Sequence, residues 1–232
     1  MKSFLHPCLR ALCALLLTLG ALHARGADFF DTSAPEVPFR IGARIGVNTS
    51  NLTLDKNIFD RWNENSWGTG FDIGAVADIA LRDYLVIQPG FFFQSRSGNH
   101  TYVNMVTTPE GTAEMIQYGH RRSYAFNIPV VCSIRFNLSD DVRWSVDAGP
   151  YISLKLKNSL SSTLYVPAGT EAGVTGIEPR KFDAGLKFGT GLNILGHYYL
   201  GVHYWAGATH PWKDSAAGGA SKAWSFTLGY DF

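Results

Sequence analysis

The stretch Trp224–Phe232, WSFTLGYDF, places Trp224, Phe226, Leu228, Tyr230 and Phe232 on every second residue, with Ser225, Thr227, Gly229 and Asp231 between them. Side chains alternate across a β-strand, so one face of this segment is apolar and aromatic throughout while the other is small or polar. With a secretory leader at the opposite end of the chain, such a strand reads as the one that closes a transmembrane β-barrel in an outer membrane. Trp224, Phe226, Leu228, Tyr230 and Phe232 are accordingly expected to serve as the C-terminal barrel-insertion signal, with the barrel-assembly machinery as the partner that engages it.

The leader fixes the compartment. Lys2 and Arg10 flank the start of an apolar run from Ala11 to Leu22, and the small residues Ala24, Gly26 and Ala27 follow it, in the order of a signal peptide. The run is about a dozen residues, short of the roughly 20 that a membrane helix needs. Cleavage between Ala24 and Ala27 is expected, giving a signal peptide over residues 1–26, a short N-terminal periplasmic segment over 27–38 and a barrel domain over 39–232. No later segment is long and apolar enough to cross a membrane as a helix, so an integral protein of this sequence must be a barrel. Cys8 and Cys13 leave with the leader, and Cys13 precedes most of the apolar core, where a lipoprotein cysteine would follow it. Cys132 then remains alone, without an internal disulfide partner.

Composition agrees with this class. A net charge of +1, 17% charged residues, 13% aromatics and 24 glycines describe neither a nucleic-acid binder nor a disordered chain. No internal repeat or low-complexity block divides the chain, which reads as one domain after its leader.

A period of two recurs in eight segments. The first, Phe39 to Asn48, sets Phe39, Ile41, Ala43, Ile45 and Val47 against Arg40, Gly42, Arg44, Gly46 and Asn48. The second, Gly70 to Arg82, opposes Phe71, Ile73, Ala75, Ala77, Ile79 and Leu81 to Asp72, Gly74, Asp78 and Arg82. The same alternation predicts strands over 85–96, 124–136, 143–157, 182–194, 198–204 and the terminal stretch. Cys132 falls on the apolar face of the fourth. Long connections follow strands one, three, five and seven, at about Thr49 to Thr69, Ser97 to Ser123, Asn158 to Lys181 and Ala208 to Lys222. Short ones follow strands two, four and six, at Asp83 to Tyr84, Asn137 to Val142 and Leu195 to His197. This strict alternation predicts an all-β, eight-stranded antiparallel up-and-down transmembrane barrel, with four long outer loops and three short periplasmic turns.

Which face meets lipid is a separate question, since a soluble lipocalin-like ligand-binding barrel alternates too, with apolar residues inward. Here the polar face is rich in glycine and carries Arg40, Arg44, Asp72, Asp78, Arg82, Arg135, Arg143, Asp147, Lys155, Asp183, Lys187 and Asp231. A solvated face has no reason to prefer glycine, which weakens strands, whereas a narrow lumen needs small residues and paired charges. These twelve side chains are expected to form a structural charge network inside the barrel. Pro89, Pro129 and Pro150 fall within strands, where each removes a ladder hydrogen bond, and β-bulges are expected there.

Six stretches together resemble a known group: IGARIGVNTSNL (41–52), IQPGFFFQSRSG (87–98), FNIPVVCSIRF (126–136), VDAGPYISL (146–154), FDAGLKFGTGL (182–192) and YLGVHY (199–204). In order and spacing they are similar to the successive strands of the PorT-like outer-membrane β-barrel proteins of Bacteroidetes. The resemblance covers nearly the whole chain after the leader, includes the three strand prolines, and implies an eight-stranded outer-membrane barrel. Most members of that family have no assigned activity. Its namesake is a component involved in gliding-associated protein secretion, and no residue of this sequence carries that role over.

Chemistry-bearing residues lie mainly in the expected outer loops. His100, His120, His210, Asp214 and Ser215 could be drawn into a hydrolytic constellation, but no nucleophile motif accompanies them, and solvated loop residues are the ordinary reading. Asp55, Asp60 and Glu64 lack EF-hand spacing and read as a solvated acidic loop before a calcium site. Asn51, Asn99 and Asn137 begin Asn-x-Ser/Thr sequons, a pattern common by chance. His203 faces the polar side among Arg and Asp partners and is expected to pack there by hydrogen bonding. Trp62, Trp67, Trp205, Trp212 and Trp224 near strand ends are expected in an interfacial girdle. The third long connection is rich in Ser, Thr, Gly and Val, and hairpin extensions within it could pair with a partner strand.

The sequence therefore predicts an integral outer-membrane barrel of a Gram-negative bacterium, with a structural or interaction role in the envelope. No catalytic, cofactor or metal site is expected. Its partners would be outer-membrane lipid, the assembly machinery and an envelope protein docked on the outer loops. A narrow pore is the competing reading from the transport class, and a surface hydrolase using loop histidines is the enzymatic one.

Overall fold

The period-two segments pair in chain order. In the computed structural model, which describes residues 29–53, 62–108, 111–165, 180–209 and 220–232, eight antiparallel strands form a closed barrel. They are β1 (Phe39–Thr53), β2 (Trp62–Ala80), β3 (Leu85–Thr108), β4 (Gly111–Ser139), β5 (Val142–Tyr165), β6 (Phe182–Ile194), β7 (Tyr198–Gly207) and β8 (Ala220–Asp231). Each pairs with the next, and β8 returns to β1 in a ladder from Gly42↔Asp231 to Thr53↔Ala220. Closure leaves no free edge around the ring. The expected leader, with Cys8 and Cys13, lies outside the described residues.

Antiparallel partners share a face, so register carries the alternation around the wall. Ile45 stands opposite Ile73 on one side and Leu228 on the other, and all three point outward. Ile45 is 59% exposed and its neighbour Arg44 only 3%. The outer surface is an apolar band with cross-strand aromatic pairs such as Phe188–Tyr204 and Tyr204–Trp224, whose ring centroids are 5.2 and 4.9 Å apart. A soluble ligand-binding barrel requires the reverse arrangement, so the lipid-facing assignment is the one this fold adopts.

Glycine makes room for the inward side chains. Arg44 lies between Gly74 and Gly229 in the register, and a Cβ on Gly229 would come within 2.5 Å of the Arg44 Cδ. Tyr199 lies across Gly191 and Gly201, where an added Cβ would meet its ring or hydroxyl at 2.5–2.6 Å. Large and small residues thus alternate across the narrow lumen, as its taper demands.

The barrel wall is uneven in height. β2 to β5 continue past the point where β6 begins and β7 ends, forming a four-stranded sheet above the outer rim. The stretch Ser97 to Ser123, read above as a loop, is mostly strand: β3 and β4 stay paired up to Thr108↔Gly111. β5 likewise runs to Tyr165, into the stretch expected to be the third loop. The tight turns lie at the other end. In the three-residue β6–β7 turn, Leu195 and Gly196 both take positive φ (54° and 72°), and the His197 amide donates to the Ile194 carbonyl at 3.2 Å.

The prolines behave differently from expectation. Register shifts occur at Trp67/Phe71, Tyr124/Ala125 and Asn137/Ser139, and none falls at a proline. The β3–β4 ladder passes from Pro89↔Val130 to Phe92↔Asn127, and β4–β5 from Pro129↔Tyr151 to Cys132↔Ala148, with equal residue counts on both strands. A missing donor here removes rungs without inserting a residue. Gly149, beside Pro150, helps hold the strands together, since a Cβ there would meet the Val130 carbonyl oxygen at 2.1 Å.

The N-terminal segment 29–38 packs at the rim that carries the short turns. Phe29 stacks on Phe136 and Phe30 lies against Tyr84, at centroid distances of 5.1 and 4.4 Å, while the Asp83 and Asn137 amides donate to Ser33 and Phe29 carbonyls. Asp31 accepts a hydrogen bond from the Ser33 amide at 2.8 Å, which holds its carboxyl below the usual range.

Candidate functional site in the barrel lumen

Each inward position is set by the alternation, and together the inward side chains fill the barrel in tiers. Nearest the periplasm, Arg40 donates to the Gly196 carbonyl at 2.9 Å across the β6–β7 turn. Above it Arg44 Nη1 meets Asp231 Oδ1 at 2.6 Å, with the guanidinium 4.4 Å over the Tyr199 ring and Asn193 donating to the same carboxylate at 2.9 Å. Arg135 pairs with Asp78, which also accepts from Gln88 Nε2 at 2.6 Å.

The middle tier holds two carboxylates. Asp147 accepts from Ser133 Oγ at 2.6 Å and Tyr199 Oη at 3.3 Å, and lies 3.2 Å from His203 Nε2. Asp72 accepts from Asn48 Nδ2 at 2.7 Å and Ser225 Oγ at 2.6 Å. Lys187, buried between them and the outer half, places Nζ 5.3 and 5.1 Å over the rings of Phe92 and Trp205. Cations over aromatic faces are stabilised by the ring quadrupole, and more strongly where water is excluded. Arg44, Lys187, Tyr199, His203 and Trp205 enclose a void with room for about one water molecule.

The outermost tier is built from Arg96, Tyr151, Lys155, Asp183 and Trp205. Arg96 donates to Gln94 Oε1 at 2.8 Å and Ser221 Oγ at 3.3 Å, and lies 5.5 Å over the Trp205 ring. Tyr151 meets Trp205 edge-on at 5.1 Å, and Asp183 accepts from Thr209 Oγ1.

Of the twelve charges named from sequence, the structure places Arg44, Asp72, Asp78, Arg135, Asp147, Asp183, Lys187 and Asp231 within the lumen, and Arg40 and Lys155 half-buried towards its two ends. Arg82 is not among them: it is exposed in the β2–β3 turn and donates to the Leu81 carbonyl. Its face is that of Asp78, but the strand ends at Ala80 and the turn releases it to solvent. Arg143 sits at the rim, pairing with Asp83 at 3.2 Å. Trp205 also departs from expectation. It is 2% exposed and faces inward, as the alternation with outward Tyr204 requires, so it takes no part in a girdle. Gln94, Arg96 and Asn127, which the alternation sets on the polar faces of the third and fourth strands, belong to the interior too, as does Tyr199, which parity alone could have placed there.

Of the loop candidates for a hydrolytic site, His120 alone is described with its side chain. His120 is exposed, with Nδ1 2.6 Å from Asn99 Oδ1. His210, Asp214, Ser215, Asp55, Asp60 and Trp212 lie outside the described residues, as do the side chains of His100, Glu64 and Trp62. Among the described residues no group of three His, Cys, Asp or Glu could hold a metal ion. Trp224, Phe226, Leu228, Tyr230 and Phe232 all face outward and are exposed.

Among solved structures, the chain is similar to the outer membrane protein OprG of Pseudomonas aeruginosa (12% identity, 89% of this chain and 99% of that one, TM-score 0.44). It is also similar to Ail, the attachment invasion locus protein of Yersinia pestis, in complex with the heparin analogue sucrose octasulfate (12% identity, 84% and 100%, TM-score 0.40). No curated protein sequence matches it. The profile of the outer membrane protein beta-barrel domain matches residues 30–207, from the N-terminal segment through β7. With that match, a closed eight-stranded wall and an apolar exterior, the protein is a barrel of the Gram-negative outer membrane and belongs to the outer membrane protein beta-barrel domain family.

Proposed function

We propose that the protein is a structural and interaction component of the cell envelope, PorT-like in character, without catalytic activity, which offers its outer sheet to an extended strand of a partner. The observation that carries this reading is the four-stranded extension of β2 to β5. On one side of it, Trp62–Trp67 of β2 have no partner on β1; on the other, Leu156–Tyr165 of β5 have none on β6, among the described residues. An edge of this kind presents backbone donors and acceptors in a row, and a strand added to it gains main-chain hydrogen bonds. In this reading residues 1–26 direct export and the terminal strand engages the barrel-assembly machinery. The tiered charges then act as a plug that stabilises the wall, which sets the protein apart from a narrow pore.

Site-specific photo-crosslinking in intact cells tests the proposal. A crosslinker at Ser159, exposed on the β5 edge, or at Trp67 on the β2 edge should give discrete protein adducts, while one at Ile45 on the lipid face should give none of the same mass. Identical patterns at all three positions, or no adduct at either edge, would remove the interaction reading.

A further inference from the structure

We infer that the outermost tier of the lumen binds a small phosphate-type oxyanion, held by Arg96, Lys155, Tyr151 and Trp205. Four donor atoms of these side chains are buried without a hydrogen-bond partner: Arg96 Nε, Lys155 Nζ, Tyr151 Oη and Trp205 Nε1. Tyr151 and Trp205 are 1% and 2% exposed, so bulk water does not answer for them. Buried polar groups are hydrogen-bonded in the great majority of cases, and an unanswered donor costs about 1–3 kcal/mol. Arg44 and His203 leave nitrogens unanswered further in, but only the outermost tier leaves one on each of four neighbouring side chains among the described residues.

The side chains are neighbours. Arg96 lies 5.5 Å over the Trp205 ring, Tyr151 is edge-on to that ring at 5.1 Å, and the Arg96 guanidinium is near enough to interact with the Tyr151 hydroxyl oxygen, which leaves the phenol O–H as the unused donor. Lys155 feels the charges of Arg96 and Arg121 as well as that of Asp183. Among the described residues, Arg96 and Lys155 share this tier with one carboxylate, Asp183, which already accepts from Thr209. Asp72, the next acid inward, interacts with Arg96 and Lys187 but is engaged by Asn48 and Ser225. Among the described residues the tier is thus rich in donors, and its one carboxylate is already engaged.

That inventory selects the ligand. Lysine, the indole N–H and a guanidinium only donate, so their partner must offer several acceptor lone pairs. A water molecule accepts two hydrogen bonds, whereas an oxyanion accepts more and carries the complementary charge, and charge-assisted bonds are the stronger kind. The tier also lies at the outer mouth. Lys155 follows Leu154, whose partner Phe182 is the first residue of β6, and Arg96 contacts Ser221 at the start of β8. Along the strands, the tier lies on the outer side of Lys187 and the Phe92–Trp205 pair.

The test uses the full barrel in detergent micelles at low chloride. Inorganic phosphate is titrated by calorimetry in one arm, and soluble short-chain phosphatidic acid in a second. Saturable binding near one per barrel is expected, weakened about tenfold or more by Arg96→Gln or Lys155→Gln, as loss of a charge-assisted hydrogen bond implies. Asp183→Asn should tighten binding, and Arg122→Gln, which alters an exposed charge, should leave it unchanged. Phosphate binding alone assigns the site to free anions; binding in both arms assigns it to the phosphate group whatever carries it. Retention of the heat-dependent gel shift shows that each variant folds. Should the charge variants lose it, Tyr151→Phe removes a donor and no charge, and unchanged binding in that variant overturns the inference. Absence of saturable binding in both arms, or equal weakening by Arg122→Gln, overturns it as well.

Discussion

Arg44 and Ile45 are adjacent in the chain and face opposite media. Arg44 turns into the barrel, where it pairs with Asp231 and lies over Tyr199; Ile45 turns to lipid. The alternation made this division legible, because apolar and polar sets never exchange sides from Phe39 to Asn48. What it could not supply was the partner: Arg44 and Asp231 stand near opposite ends of the chain and meet only because β8 closes on β1. Arg44→Leu leaves the Asp231 carboxylate buried without its cation, a change that costs about 3–5 kcal/mol in comparable sites. Ile45→Leu keeps volume and polarity and should cost under about 1.5 kcal/mol. Urea unfolding in lipid vesicles measures both, and equal losses would contradict the assignment of faces.

At the scale of the strand, the membrane-crossing portions were readable and their outer extensions were not. A wall between lipid and a polar lumen writes a one-sided pattern, which is why Phe182–Ile194 emerges whole as β6. The extensions of β3, β4 and β5 rise beyond that asymmetry, and segments such as Asn99 to Thr108 show no sustained apolar face. Their pairing comes from the ladder below, and period-two reading has nothing to detect. The prolines misled for a related reason, since a closed barrel tolerates missing rungs where neighbouring pairs hold register. Labelling with a charged, membrane-impermeant maleimide separates the two kinds of strand. Cys132, outward on β4 in the apolar band, should resist labelling in the folded protein. A Ser159→Cys variant, studied in a Cys132→Ser background, should label readily on intact cells. Rapid modification of Cys132 before unfolding would place that part of β4 in water and move the membrane band.

For the whole molecule, eight strands and closure were foreseeable from the rhythm of long and short connections, and a charge-filled lumen from the polar faces, but which side chains meet across it was not. Eight strands enclose a space just wide enough for side chains, so whether it conducts depends on which residues meet at its centre. Tiers of Arg44–Asp231, Tyr199–His203–Asp147 and Lys187 beneath Phe92 and Trp205 cross that space, and the void among them holds about one water. Hydrated ions need a continuous path, and here Lys187 with the Phe92–Trp205 pair stands across it. Planar bilayers containing the folded protein should therefore show no steady channel of porin size. Trp205→Ala removes the indole that separates the void from the outer tier and should introduce brief, small openings, cation-poor because Lys187 stays in the path. Steady, large conductance from the unaltered protein would mean that the charge tiers part in the membrane, and would establish the narrow pore in place of the plug.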